Sequence, residues 1–327
     1  MCPPFPADEA AAVAAMFNDN PSYIEPTLHA VGHEYWTNGQ MSRAEWYDRQ
    51  GFMRDDTQRH LDAFLGIYSD AGFRQPLESY IPAAFLHRFG DDGKGLAGIL
   101  KQAGIRHIST PYKTMFHSRP TEYPLFGVED GLMTVDRGHD LAPWHAIGPS
   151  PSGHVAGPIC GLHWPNLLHQ DPSRSAEVVD RWVNLLTPYD SMPDRTLSGN
   201  TRDCWTQLAH HSTVSVEVRG CFARNGGKGL PPSITNGLEG ANPLAPGASG
   251  QGQVVFDFTK LNRLSTTAID RTFEVKIQSD RPLVVTSPDM TIEEANRIPT
   301  AGMMRLKVSR KDARQSKGIM EFITRSS

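Results

Sequence analysis

Gly95-Leu96-Ala97-Gly98-Ile99-Leu100-Lys101-Gln102-Ala103-Gly104-Ile105-Arg106-His107-Ile108-Ser109-Thr110 reads as a helix, a stop and a strand in one run. Gly95 to Gln102 forms a short helix, and Gly104 closes it because glycine accepts the left-handed conformation that ends helices. Ile105 to Thr110 is rich in β-branched side chains and reads as the strand. Just upstream, Tyr80-Ile81-Pro82 marks the end of another strand, since proline cannot donate to a sheet ladder. Strand, helix and strand in alternation are the signature of a parallel α/β sheet or barrel.

Further toward the N-terminus, Ser42-Arg43-Ala44-Glu45 has the form of a capping box. It predicts a helix to about Ala71, with Trp46, Met53, Leu61, Phe64, Leu65 and Tyr68 near helical spacing and Gly72 as the stop. Before it lies Tyr23-Ile24-Glu25-Pro26-Thr27-Leu28-His29-Ala30-Val31-Gly32-His33-Glu34-Tyr35-Trp36. Tyr23, Ile24 and Thr27 favour a strand, and Gly32 a turn that swings His33 back toward His29. Two neutral imidazoles in one short segment can hold a divalent metal. The Ala-rich stretch Asp8 to Met16 predicts a first helix, broken by Phe17-Asn18-Asp19-Asn20-Pro21.

On the other side of the opening run, residues 111–158 are irregular. Leu125–Val128 and Leu132–Val135 flank Glu129-Asp130-Gly131 as a hairpin. Ile159-Cys160-Gly161-Leu162 is a short apolar strand running into His163-Trp164-Pro165-Asn166. Asp171-Pro172 opens a helix, whose predicted buried face is Val178, Val179, Trp182, Val183 and Leu186, and Thr201 to His210 reads as another. Alternating patterns at Ser215–Arg219, Gln253–Phe258, Phe273–Gln278 and Arg305–Ser309 then predict a C-terminal β-sandwich domain, with a long Gly/Pro/Asn-rich loop at 225–252. The expected division is 1–211 as a β/α barrel domain, incomplete or distorted, and 212–327 as the β domain.

Composition excludes several classes. The chain has 327 residues, a net charge of -4 with 13 His counted as neutral, 25 Pro and 29 Gly. Its pI is near 6.3 and its mean hydropathy -0.41, which gives no basis for binding nucleic acid or an anionic membrane surface. No apolar run approaches the roughly 18 residues a spanning helix requires. Cys2, Cys160, Cys204 and Cys221 lack metal-type spacing and read as mostly buried thiols. The start of the chain has neither a basic nor an apolar signal region. The expectation is therefore an intracellular protein, or a secreted or cell-envelope one whose export signal has been removed. No G-x-S-x-G elbow is present, and Asn225-Gly226-Gly227-Lys228-Gly229 lacks phosphate-loop spacing.

Working residues of open α/β sheets and barrels sit at the carboxyl ends of strands, and His29 and His163 each follow a predicted strand. In that context the first 210 residues resemble the polysaccharide deacetylase family, a carbohydrate esterase type of barrel. The resemblance rests on His29-Ala30-Val31-Gly32-His33, on Tyr80-Ile81-Pro82 followed by the helix and strand of Gly95 to Thr110, and on Leu162-His163. It implies a divalent metal, usually zinc, held by two His, here His29 and His33, and one Asp, with an Asp general base and His163 as general acid. Ala30 stands where the family carries a small hydroxyl residue, and no Asp-Asp strand precedes the histidines. Glu25 is then the candidate third ligand, and Asp19 the nearest carboxylate for the base. Trp164 and Tyr80 would offer faces to sugar rings, and Asn166 would hydrogen-bond a hydroxyl. The expected reaction is removal of acetyl groups from an N-acetylated carbohydrate. One alternative is a glycoside hydrolase, with Glu25, Glu34, Asp136 and Asp140 as candidate carboxylates. The other is a non-catalytic carbohydrate-binding or assembly protein.

Overall fold

The computed structural model describes residues 6–33, 45–48, 51–88, 95–112, 123, 125–151, 155, 157–192, 197–219, 234–235, 251–264, 266–278, 283–298 and 302–324. Helix α1 (Ala7–Asp19) runs a turn past Met16 and ends before Asn20-Pro21. The next helix, α2 (Thr57–Asp70), begins well beyond the expected capping box. Ser42 lies outside the described residues. Glu45 turns the other way and accepts the backbone N–H groups of Val31 and Gly32. Tyr47 bridges Met53 antiparallel, Asp48 accepts from Phe52 N, and Gly51 takes a φ of +87°. Of the first part of the expected helix, the described residues 45–48 and 51–53 are thus not helical. The positive φ at Gly51 and the bond that the Asp48 carboxylate accepts from Phe52 N disfavour helical geometry there. Trp46, predicted on a helix face, is buried and stacks on Tyr80 instead.

Four strands make the N-terminal sheet: β1 (Ser79–Tyr80), β2 (His107–Thr110), β3 (Phe126–Glu129) and β4 (Leu132–Asp136), in the order β1-β2-β4-β3. Strands β1, β2 and β4 are parallel, and β3 returns antiparallel as the hairpin partner of β4. Leu28 extends the β1 edge by a parallel bridge to Tyr80. Every residue of β2 is buried, as a central strand covered on both faces must be. The helix of the opening run is α3 (Ala97–Gln102), which buries Ala97, Ile99 and Leu100. Gly104, at φ +92°, turns the chain into β2. Among the described residues this sheet does not close into a barrel.

Between β4 and α4 (Trp164–Leu167) the described residues are irregular, except where Asp140 and Gly161 pair as an isolated parallel bridge. Helix α5 (Ser175–Asp190) buries a narrower seam than expected. Val178, Trp182 and Tyr189 are buried with Leu185 packed beside them, but Val179 and Val183 are exposed. A single-sided contact selects positions 178, 182, 185 and 189, and the neighbouring valines fall off that stripe. Helix α6 (Thr201–Thr213) is capped by Asn200, whose side chain accepts from Asp203 N.

From Ser215 onward the described residues form two antiparallel sheets. One is β5 (Ser215–Arg219), β7 (Gln251–Asp257), β12 (Lys317–Thr324) and β9 (Leu283–Thr286). The other is β10 (Met290–Ile298), β11 (Met303–Arg310), β8 (Thr272–Gln278) and β6 (Ile234–Thr235). Alternate residues of both sheets, among them Phe256, Phe322, Val275 and Leu306, meet in one core. That core continues through Trp205 and Ala209 of α6 to Phe126, Met133 and Val135. It therefore crosses the expected division at residue 211, and the two parts are fastened by packing as well as by the chain.

Candidate functional site

The carboxyl ends of the three parallel strands open onto a cleft of about 810 Å³. Its lining comes from residues at or just past each strand's end: His29 after the Leu28 bridge, Ile81 after β1, Ser109 near the end of β2 and Arg137 after β4. His33, Phe85, Trp144, Cys160 and His163 complete most of the wall. This is where an open α/β sheet offers space, because the connections diverge beyond the strand ends.

His29 and His33 face each other with ring centroids 4.9 Å apart, tilted at 58°. The Nδ1 atom of His29 lies 2.7 Å from the carbonyl oxygen of Ile81. A proton placed on Nδ1 toward that carbonyl leaves Nε2 with its lone pair, the arrangement that metal-binding histidines use. Burial pulls the His29 pKa below 6.5; the Ile81 bond opposes this, and His33 adds to it. His33 sits in the left-handed region at φ 55°. Glu45 holds the turn between the two histidines from below, at 2.5 Å from Val31 N and 2.7 Å from Gly32 N.

His163 reaches the same cleft from far along the chain. Its Nδ1 is buried without a hydrogen-bond partner among the described residues. Its backbone N–H donates to Asn166 Oδ1 at 2.9 Å. Asn166 is fully buried and donates through Nδ2 to the carbonyls of Pro143 and Ala146, both at 2.9 Å. With its bonds made inside the protein, Asn166 cannot bind substrate as expected. It ties His163 to the loop that carries Trp144.

Other expected site residues stand elsewhere. Tyr80 is buried against Trp46, and burial raises its pKa well above 10. Its ring faces are packed inside and offer no platform for a sugar. Trp164 is 74% exposed and is not part of the cleft wall. Asp19 is the exposed last residue of α1. Glu25 accepts the backbone N–H of Thr201 at 2.9 Å, at the start of α6. Neither carboxylate lines the cleft. Glu34 lies outside the described residues. Among the described residues no group of three or more His, Cys, Asp or Glu is placed to hold a metal. His29 and His33 supply two imidazole donors of the kind zinc accepts, with one ring oriented by a backbone carbonyl.

The sequence reading missed Arg137, Ser109, Phe85 and Trp144. Arg137 and Ser109 stand at the ends of β4 and β2, so position after a strand was a usable signal. Trp144 is 66% exposed and lies in the irregular segment. Backbone strain also marks this place. Of the non-glycine residues with positive φ among the described residues, His33, Ala84 and Phe85 line the cleft; Asp130 does not. Strained backbone is costly and tends to persist where function requires it.

Compared with protein-family models, with curated proteins and with solved structures, the chain matches none of them. No helix among the described residues is long and apolar enough to cross a membrane.

Proposed function

We propose that the cleft is the active site of a metal-dependent hydrolase that removes an acyl group from an N-acylated carbohydrate. One observation carries this reading: His29, His33 and His163, distant in sequence, line one cleft at the strand ends. His29 and His33 would hold the metal, zinc by the chemistry of the donors. When bound, the metal would acidify a water and polarise the acyl carbonyl. His163 supplies the proton for the departing amine, and its position is fixed by Asn166. Trp144 gives the cleft an aromatic face against which the apolar side of a sugar ring can lie.

Elemental analysis of protein purified without chelator tests this reading, with zinc titration calorimetry beside it. The wild type is expected to hold roughly one equivalent of metal, lost in the His29→Ala/His33→Ala double variant. Acetate release from chito-oligosaccharides should be lost with it. A folded wild type that neither carries nor takes up metal would overturn the hydrolytic mechanism.

That outcome would favour a second reading, a carbohydrate-binding protein without catalysis. The lack of a third ligand among the described residues supports it. A glycoside hydrolase is less well supported, because it needs two carboxylates in the site. Asp140 is the one carboxylate among the described cleft-lining residues, and it is paired with Arg137. Asp136 is engaged by Tyr112 N.

A further inference from the structure

Beyond the histidines, the cleft contains a polar cluster that the proposed hydrolysis does not use. Arg137 leaves β4 and keeps its side chain only 8% exposed, with Nη2 2.6 Å from Asp140 Oδ1. Its guanidinium carbon lies 4.1 Å from the centroid of the Phe85 ring, so a cation–π contact and an ion pair fix it together. The backbone is shaped to admit this pair. A β-carbon on Gly161 would stand 2.1 Å from both Arg137 Nη2 and Asp140 Oδ1, so a larger residue would displace the pair from its place beside the Asp140–Gly161 bridge. Asp140 spends one oxygen on Arg137, and its other oxygen has no partner among the described residues.

Ser109 is the independent sign of a ligand. It is 4% exposed, its Oγ is buried without a hydrogen-bond partner among the described residues, and it lines the same cleft. A buried hydroxyl left unpaired costs about 1–3 kcal/mol unless something completes it. Donors on Arg137, an acceptor on Asp140 and a hydroxyl that can do either match the surface of a polyol. The charges of Arg137 and Asp140 cancel, so the cluster offers hydrogen bonds without attracting an anion.

We infer that Arg137, Asp140 and Ser109 form a hydroxyl-reading subsite that selects a neutral sugar ring over a carboxylated one. The inference rests on the carbohydrate reading of the cleft and specifies which carbohydrate it takes.

Titration calorimetry of the full chain with two probes tests it: a neutral chitotetraose and a tetragalacturonate. The wild type should bind the neutral probe at least tenfold more tightly. Asp140→Asn keeps an oxygen for Arg137 but removes the negative charge and the free acceptor. It should weaken the neutral probe at least tenfold and strengthen the acidic one. Ser109→Ala, a smaller change in case Asp140→Asn does not fold, should weaken the neutral probe without changing the acidic one. A wild type that prefers the acidic probe would overturn the inference and leave the carbohydrate reading standing. So would neutral binding unmoved in both variants. Binding of neither probe would overturn both.

Discussion

The carboxylate of Glu45 lies 2.7 Å from the backbone nitrogen of Gly32, and that contact holds His29 and His33 face to face. Glu45 is 7% exposed and accepts from Val31 N as well. Hydrogen bonds to a charged acceptor are the stronger kind. Val31 and Gly32 are exposed, so water can take over the two donors, but it cannot hold the turn in one geometry. Glu45→Ala should lower unfolding free energy by roughly 1–3 kcal/mol and halve or abolish zinc uptake, because the turn no longer presents His33. Chemical denaturation and zinc titration read the two effects separately. Unchanged zinc affinity in a destabilised variant would mean that the turn does not depend on Glu45.

Glu45 also shows where the sequence could not be read. Ser42 and Glu45 have the spacing of a helix cap, and spacing alone cannot tell a local partner from Val31 and Gly32 far upstream. The run from Gly95 to Thr110 was legible because its helix, glycine stop and strand are all set by neighbours in sequence. The alternation at β7 was legible too, since Val254 and Phe256 face one core and their neighbours do not. His163 could be found because it follows a short apolar stretch. Asn166 was visible as a polar residue, but its role depends on Pro143 and Ala146, which no local pattern connects to it. Arg137 and Trp144 belong to a segment ordered by the Asp140–Gly161 bridge, a nonlocal pairing that leaves no periodic trace.

The side chain of Asn166 makes three hydrogen bonds inside the protein, one to the backbone of His163 and two to the Trp144 loop. Asn166→Ala leaves the Ala146 carbonyl and the His163 N–H unpaired, while the Pro143 carbonyl keeps its bond from Ala146 N. A loss of roughly 2–4 kcal/mol in urea unfolding is expected. Asn166→Asp keeps the acceptor for His163 but puts a carboxylate against two carbonyl oxygens, so it should be no more stable than Asn166→Ala. If Asn166→Asp were as stable as the wild type, the donated bonds would contribute nothing measurable.

His210 predicts how the core responds to acid. It is buried at the end of α6, stacks on Phe273 with centroids 4.6 Å apart, and lies 2.8 Å through Nδ1 from Thr206 O. Burial pushes its pKa down to about 3 from 6.5, against the effect of the Thr206 bond, and Arg310 lowers it further. Below pH 6.5 the unfolded chain takes up a proton that the folded chain excludes. Stability from this group is therefore full above 6.5 and is lost as pH falls toward 3, at about 1.4 kcal/mol per pH unit. His210→Phe retains a ring against Phe273 and removes the titration. Between pH 6.5 and pH 5 the wild type should lose roughly 2 kcal/mol more than the variant. Equal losses in urea unfolding at the two pH values would show that His210 is not held neutral.

Trp144 and Trp164 are both largely exposed, yet they stand differently to the cleft. Trp144 lines it and Trp164 does not. An aromatic face that stacks on a ligand contributes binding free energy in proportion to the surface it covers, and an exposed ring away from the ligand contributes none. Trp144→Ala should therefore weaken chitotetraose binding at least tenfold, about 1.4 kcal/mol or more, while Trp164→Ala leaves it within twofold. Both side chains face solvent, so neither truncation should shift the unfolding midpoint much. Calorimetric titration of the two variants beside the wild type gives the comparison directly. The reverse order of effects would move the sugar-binding face from the cleft wall to the start of α4 and would sink the assignment of Trp144.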